Sequence, residues 1–264
     1  MKIGELDIIP IQDGSATENA DDVLWRPGVE DPWACHQDVL LPGKRLYFEM
    51  GGFLIRTGDR VVVVDLGAGK INRGAYKGGG MLDSLAAHGV APEDVTDVVF
   101  THLHFDHVGW ASSKGDVVFT NATFHAHKDD WEYFVTGPEA VDGAVRKLRP
   151  IESQLQLFDT QFTVAPGIDA RPAPGHTPGT TLYIVSSGTQ RALLLGDIVH
   201  SVVELAEPDW ESLYDVDPAA AKAARNAIAD ELCDTDDRMA AAHFAGFPFG
   251  RVITTDVGRR FIAT

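Results

Sequence analysis

The chain has 264 residues, 44% of them apolar and 9% aromatic, which is enough to bury one core of ordinary size. Its formal net charge of -17 repels polyanions, and the basic pairs Lys44-Arg45 and Arg259-Arg260 are too isolated to form a nucleic-acid patch. No segment has the length and apolarity to span a bilayer, and the start, Met1 to Asp7, lacks the apolar stretch of a secretory signal, which implies a cytoplasmic protein.

No repeat or long linker divides the sequence, so residues 1–264 read as one domain. Residues 14–46 carry Trp25, Pro27, Pro32, Trp33, Pro42 and Gly43 with little periodicity. Such a stretch is an irregular segment that packs onto something, either a lid over a pocket or the contact of a homodimer. Tyr47 to Arg56 and Arg60 to Asp65 flank Thr57-Gly58-Asp59 and read as a hairpin. Met81 to His88 is helix-like and stops at Gly89. Asp97 to Thr101 is an apolar, β-branched, buried strand.

Val117 to Phe119 and Thr123 to Ala126 read as further strands. Lys128 to Phe134 and Glu139 to Leu148 read as helices, with Pro138 in the first turn of the second. The second half begins with strands at Gln161 to Val164, Ala170 to Pro172, Thr181 to Ser186 and Arg191 to Leu195. Asp217-Pro218, an N-cap followed by proline at the first helical position, opens a helix reaching about Cys233. Met239 to Ala242 and Arg251 to Thr255 close with strand character. Two β-rich halves, each followed by helices, predict two facing sheets with helices outside. Cys35 and Cys233 are too far apart in sequence for a CxxC pair, so neither a disulfide framework nor a thiolate zinc site is supported.

The chemistry concentrates in His102-Leu103-His104-Phe105-Asp106-His107, where three imidazoles and one carboxylate follow a buried strand within six residues. Imidazole and carboxylate suit zinc and its neighbours, and a loop at a strand's end can aim them at one point. His176, Asp197 and His243 repeat one pattern, a metal-capable residue at a strand's end or in a Gly/Pro turn. Taken alone, each reads equally well as a turn, cap or sheet-edge residue. Together with the loop they supply seven ligands, the number two metals need when one carboxylate is shared. Asp65 either orients the ligand loop or simply ends a strand.

Val64-Asp65-Leu66-Gly67, the HLHFDH loop, Gly175-His176-Thr177-Pro178-Gly179, Gly196-Asp197 and His243, in this order, resemble the metallo-β-lactamase superfamily. The resemblance implies an α+β fold, a four-layer αβ/βα sandwich with the metal site at one edge of the two sheets. It implies His102, His104 and His176 on a first divalent ion and Asp106, His107 and His243 on a second, with Asp197 bridging. Zinc is the metal this donor set favours. His104 is not the glutamate that di-iron redox members carry. The presence of Asp197 is unlike the true β-lactamases, and the acidic balance opposes a nuclease.

Gly196-Asp197-Ile198-Val199-His200, Tyr214-Asp215-Val216-Asp217-Pro218 and Phe247-Pro248 after His243 are similar to the methyl parathion hydrolase group, which includes lactone and ester hydrolases. Acyl-homoserine lactonases place a tyrosine shortly after the bridging aspartate. Here Ile198, Val199 and His200 stand there instead, and His200 is a candidate for the missing proton donor or oxyanion contact. The resemblance thus implies a dinuclear zinc hydrolase acting on a small neutral ester or lactone, with Asp106 as proton carrier. Phe105, Trp33 and Phe244 are candidates to contact substrate. Trp25, Trp110 and Phe247 are further aromatic candidates, for each of which core packing is the alternative. The competing expectations are an organophosphate triester hydrolase and a mononuclear iron persulfide dioxygenase.

Overall fold

The computed structural model describes Met1–Thr264. Two large sheets carry it. The first runs, edge to edge, through Leu155–Phe158, Thr123–His127, Asp97–Val99, Arg60–Val64, Arg45–Thr57, Leu6–Asn19, Tyr76–Lys77 and Asn72–Arg73, with Lys2–Ile3 added on Leu6–Asn19. The second runs through Phe162–Ala165, Ile168–Pro172, Thr181–Ser187, Gln190–Leu194, Arg238–Ala240, Gly250–Thr255 and Gly258–Ala263.

Alternation along the strands explains the layering. Val62, Val64, Phe53, Ile55, Ala192 and Leu194 point into a core shared by both sheets. Their neighbours Val63, Leu54 and Val98 point outward, under the helices Met81–Ala87 and Asp142–Leu148. On the far side Leu193 and Leu195 pack beneath Pro218–Leu232 through Ile228, Ala229 and Leu232. Helix, sheet, sheet, helix is the four-layer α+β sandwich that the sequence predicts.

Parallel pairing decides where chemistry collects. Arg60–Val64 and Asp97–Val99 pair in parallel, as do Gln190–Leu194 and Arg238–Ala240. Parallel strands finish at the same edge, and loops at carboxyl ends are where such sheets assemble sites. Asp65, His102, Asp197 and His243 all follow within three residues of these four strand ends.

Several expectations need correction. Residues 14–46 are not irregular throughout, because 14–19 continue the strand Leu6–Asn19. Its polar Gln12-Asp13-Gly14 sits where the register shifts against Arg45–Thr57, so a bulge hid the strand's alternation. Gly258–Ala263, an edge strand, also went unread. Pro138 lies ahead of its helix rather than in it, since the helix spans Asp142–Leu148. Lys128–Trp131 is a single turn that widens over Glu132–Thr136, where Gly137 N–H reaches back to Glu132 O at 2.6 Å. Val117 only closes a two-stranded ribbon with Ser112–Ser113. No helix is long and apolar enough to cross a membrane.

Candidate metal centre

The loop after Asp97–Val99 turns back on itself, with His107 N–H bonded to His104 O at 3.1 Å. This brings His102 Nε2 within 3.0 Å of His104 Nδ1, and His176 Nε2 within 3.3 and 3.0 Å of those two atoms. His176 reaches them because Gly175, at φ +148°, lies against the Ala221 backbone, where a Cβ would sit 2.2 Å from Ala221 N. Asp197 follows Gly196, whose φ of +54° and close approach to Thr101 exclude a side chain.

Two groups of ligand-capable atoms result: His102, His104, His176 and Asp197, and Asp106, His107 and His243. Asp197 touches both. Its Oδ2 is 3.6 Å from His102 Nε2 and from His176 Nε2, and its Oδ1 is 3.3 Å from His107 Nε2. Oδ2 also lies 3.0 Å from His243 Nε2. Asp106 is 3.6 Å from His243 Nε2 and 4.0 Å from His107 Nε2.

The far nitrogen of four of these histidines is occupied, which orients the near one. Thr101 Oγ1 donates to Asp65 Oδ2 at 2.7 Å, so it accepts from His102 Nδ1 at 3.1 Å. His107 Nδ1 donates to Asp65 Oδ2 at 2.9 Å, His176 Nδ1 to Asp215 Oδ1 at 3.0 Å and His243 Nδ1 to Glu49 O at 2.8 Å. In the neutral ring of each, Nε2 therefore turns its lone pair inward. Such backing is what metal-binding imidazoles carry. The lone pairs of His102 Nε2 and His176 Nε2 face one another at 3.3 Å with no proton between them and repel, and a cation removes the conflict. His107 Nε2 and Asp197 Oδ1 are also buried without a hydrogen-bond partner. The residues fit a pair of metal ions.

Electrostatics agree. Burial holds the His102, His104 and His176 imidazoles neutral, well below their usual range for the first two. Burial works against charge at His107 and His243 as well, but carboxylates outweigh it. Asp197 and Asp65 push His107 well up, and Asp197 and Asp106 push His243 up to about 9. Burial would raise Asp197, yet the imidazoles of His243, His107 and His102 hold it well below the carboxylate range.

A cavity of about 180 Å³ opens over these groups. His104, Asp106, His176, Asp197, His200 and His243 form its floor, and Ala16, Phe48, Met50, Tyr76, Phe105 and Tyr214 its walls. Of the aromatic candidates only Phe105 is there, its ring edge-on to Tyr76 at 5.4 Å. Trp33 lies outside this lining: it is fully buried, 4.7 Å from Trp210, in a small core with Val23 and Leu24. Phe244 lies outside this lining as well: its ring packs edge-on to Phe261, in an adjoining cavity that His200 and His243 also border. Trp110 is tied to Asp13 through Nε1 at 2.7 Å, Phe247 packs on Phe53, and Trp25 lies outside the lining. His200 is buried in the lining with neither ring nitrogen hydrogen-bonded.

Sequence reading missed Phe48, Tyr76 and Tyr214 in the wall and Asp130 behind the floor. Asp130 accepts from Leu103 N–H at 3.1 Å, Gly179 N–H at 2.6 Å and Thr177 Oγ1 at 2.9 Å, joining the two histidine loops. Its burial raises it to about 7, against the pull of those donors. Only its neighbours in space give it meaning, and no local motif marks it.

The family model described as the metallo-beta-lactamase superfamily matches residues 52–243. The N-acyl homoserine lactonase AiiA of Bacillus thuringiensis subsp. kurstaki is 24% identical over 174 residues, 60% of this chain and 66% of that protein. The chain thus spans slightly less than two thirds of that relative. Metallo-beta-lactamase domain-containing protein 1 of Mus musculus is 29% identical over 63% of this chain and 54% of its own. Among solved structures, the dizinc quorum-quenching lactonase AidC, in complex with a product, superposes with a TM-score of 0.89 at 26% identity, covering 100% of this chain and 96% of that one. The hydrolase AbOPH shares the fold at a TM-score of 0.89 and 22% identity, with the same coverage.

Proposed function

Because the chain belongs to the metallo-β-lactamase superfamily, we propose that it is a dinuclear zinc hydrolase that opens lactones or cleaves neutral, hydrophobic esters in the cytoplasm. The observation that carries this is the convergence of two ligand groups on one shared carboxylate, Asp197, under a cavity whose lining has no Lys or Arg. AidC and AiiA, lactonases by name, support it.

His102, His104, His176 and Asp197 would hold one ion, and Asp106, His107 and His243 the other, with Asp197 shared. Bound there, two divalent cations supply Lewis acidity and a water of lowered pKa. The protein supplies the rest. The walls Phe48, Met50, Tyr76 and Phe105 shed water and hold an apolar arm. Asp106, its side chain 13% exposed, accepts a proton from the attacking water on a carboxylate oxygen and returns it to the leaving oxygen. His200, with two unengaged ring nitrogens in the lining, donates a hydrogen bond to the oxygen that gains charge. Tyr214 remains a hydroxyl donor at neutral pH, since burial and the carboxylate of Glu18 raise it. An anionic substrate would find no cationic side chain in the lining.

The test is kcat/KM across lactones, alkyl esters, a thioester and an aryl phosphotriester. Highest efficiency on a lactone or neutral ester is expected. A phosphotriester clearly preferred over every carbonyl substrate would replace this reading with the organophosphate one.

A further inference from the structure

One buried guanidinium lies behind both sides of the site. Arg225 stands on Pro218–Leu232, a helix started by Asp217, whose Oδ1 accepts from Ala220 N–H at 3.0 Å. Arg225 is 2% exposed. Its Nε donates to Ile198 O at 2.7 Å, its Nη1 to Trp210 O at 3.2 Å and its Nη2 to Asp215 Oδ2 at 3.2 Å.

Two of these contacts, and an ion pair with Glu204, lead to the site by one step. Asp215 turns its other oxygen to His176 Nδ1 at 3.0 Å. Ile198 follows Asp197 directly, so the bond to its carbonyl fixes the turn that aims Asp197. Glu204 Oε1 lies 3.0 Å from Arg225 Nε, an ionic contact, because that N–H points at Ile198 O. Glu204 Oε2 accepts the backbone N–H of His200 at 2.6 Å and of Ser201 at 2.9 Å. The carboxylates of Glu204 and Asp215 both titrate low: burial would raise them, but Arg225 and the histidines His200 and His176 overcome it.

A buried ion triad contributes little stability over apolar residues of the same volume. A planar fork with several fixed donors does set geometry. We propose that Arg225 is a positioning residue that aligns His176, the Asp197 turn and His200 as one unit, so that metal affinity and turnover depend on its guanidinium geometry as well as its charge. This rests on the dinuclear reading of the site.

Full-length R225K and R225M would be compared with the unmutated protein. The readouts are circular dichroism, zinc affinity by competition with a chromogenic chelator, and kcat and KM on the best substrate. Backing groups of this kind typically change metal affinity or activity by roughly 10–100-fold. Both variants are therefore expected to fold, to bind at least one zinc about ten-fold more weakly, and to lose kcat by about ten-fold or more with KM nearly unchanged. Guanidinium ion added to R225A should restore part of the zinc affinity, which a purely structural role would not allow. Folded R225K and R225M with unaltered zinc affinity would overturn the proposal. If neither folds, D215N and E204Q, which cut the tethers one at a time, decide it by the same zinc readout. An unmutated protein that hydrolyses nothing while R225M still loses zinc affinity would sink the hydrolase reading and leave the Arg225 assignment standing.

Discussion

His107 Nδ1 donates to Asp65 Oδ2 at 2.9 Å, and Asp65 makes that contact from a left-handed backbone with φ +60°. A non-glycine residue there carries strain. The same carboxylate accepts Thr101 N–H at 2.8 Å and Thr101 Oγ1 at 2.7 Å, so it sets the start of the ligand loop and the ring of one of its ligands. Asp65→Asn keeps the conformation, because asparagine tolerates it, but removes the charge behind His107. The expected outcome is a folded protein with zinc affinity lowered by roughly 10–100-fold in a chelator competition.

Asp197 touches both ligand groups, so Asp197→Ala should differ in kind from loss of a peripheral ligand. Metal content measured after dialysis should drop by at least one ion per chain. Turnover should fall by more than the roughly 100-fold limit typical of outer partners.

The stability of the metal-free protein should depend on pH through His243. Its pKa is raised from 6.5 to about 9, chiefly by Asp197 acting against burial. A group raised on folding stabilises fully below its unfolded value and loses that contribution as pH climbs through the folded value. Chelated protein should therefore lose up to about 3 kcal/mol between pH 6.5 and 9. Loaded protein, with its imidazoles already deprotonated by metal, should not lose it on this account. Thermal melts of both forms across that range make the comparison.

A tryptophan amid prolines, as Trp33 is, suggests a lid that contacts substrate. In the structure it belongs to a small core with Leu24, Phe48 and Trp210. Trp33→Ala should cost about 3–5 kcal/mol and lower Tm by roughly 10 °C. KM in the surviving folded enzyme should stay within about two-fold, where a lid residue would have shifted it.

The contrast shows what the sequence could reveal. The ligand-capable residues were legible because strand endings and tight turns write them into short motifs, His102 to His107 and Gly175 to Gly179 among them. The sandwich was legible because alternation and an N-cap-proline signal are local too. What was hidden comes from distance in sequence. Asp130, Asp215 and Glu49 meet their histidine loops only after the sheets pack. Tyr214, read only as part of a motif, reaches the wall from a segment between two helices, a placement no periodicity announces.

The lining's lack of Lys and Arg, beside Asp106, predicts discrimination by charge. Of two esters differing only in a neutral or a carboxylate tail, the anionic one should show kcat/KM lower by about ten-fold at low salt. The gap should narrow as ionic strength rises. Equal efficiencies at low salt would remove the electrostatic argument.

The central claim is that seven side chains grip two cations through one shared carboxylate. Mass-spectrometric metal quantification on the dialysed protein tests it most directly. The account predicts two divalent ions per chain, zinc the favoured occupant. A single iron per chain would contradict it and return the molecule to the mononuclear oxygenase reading.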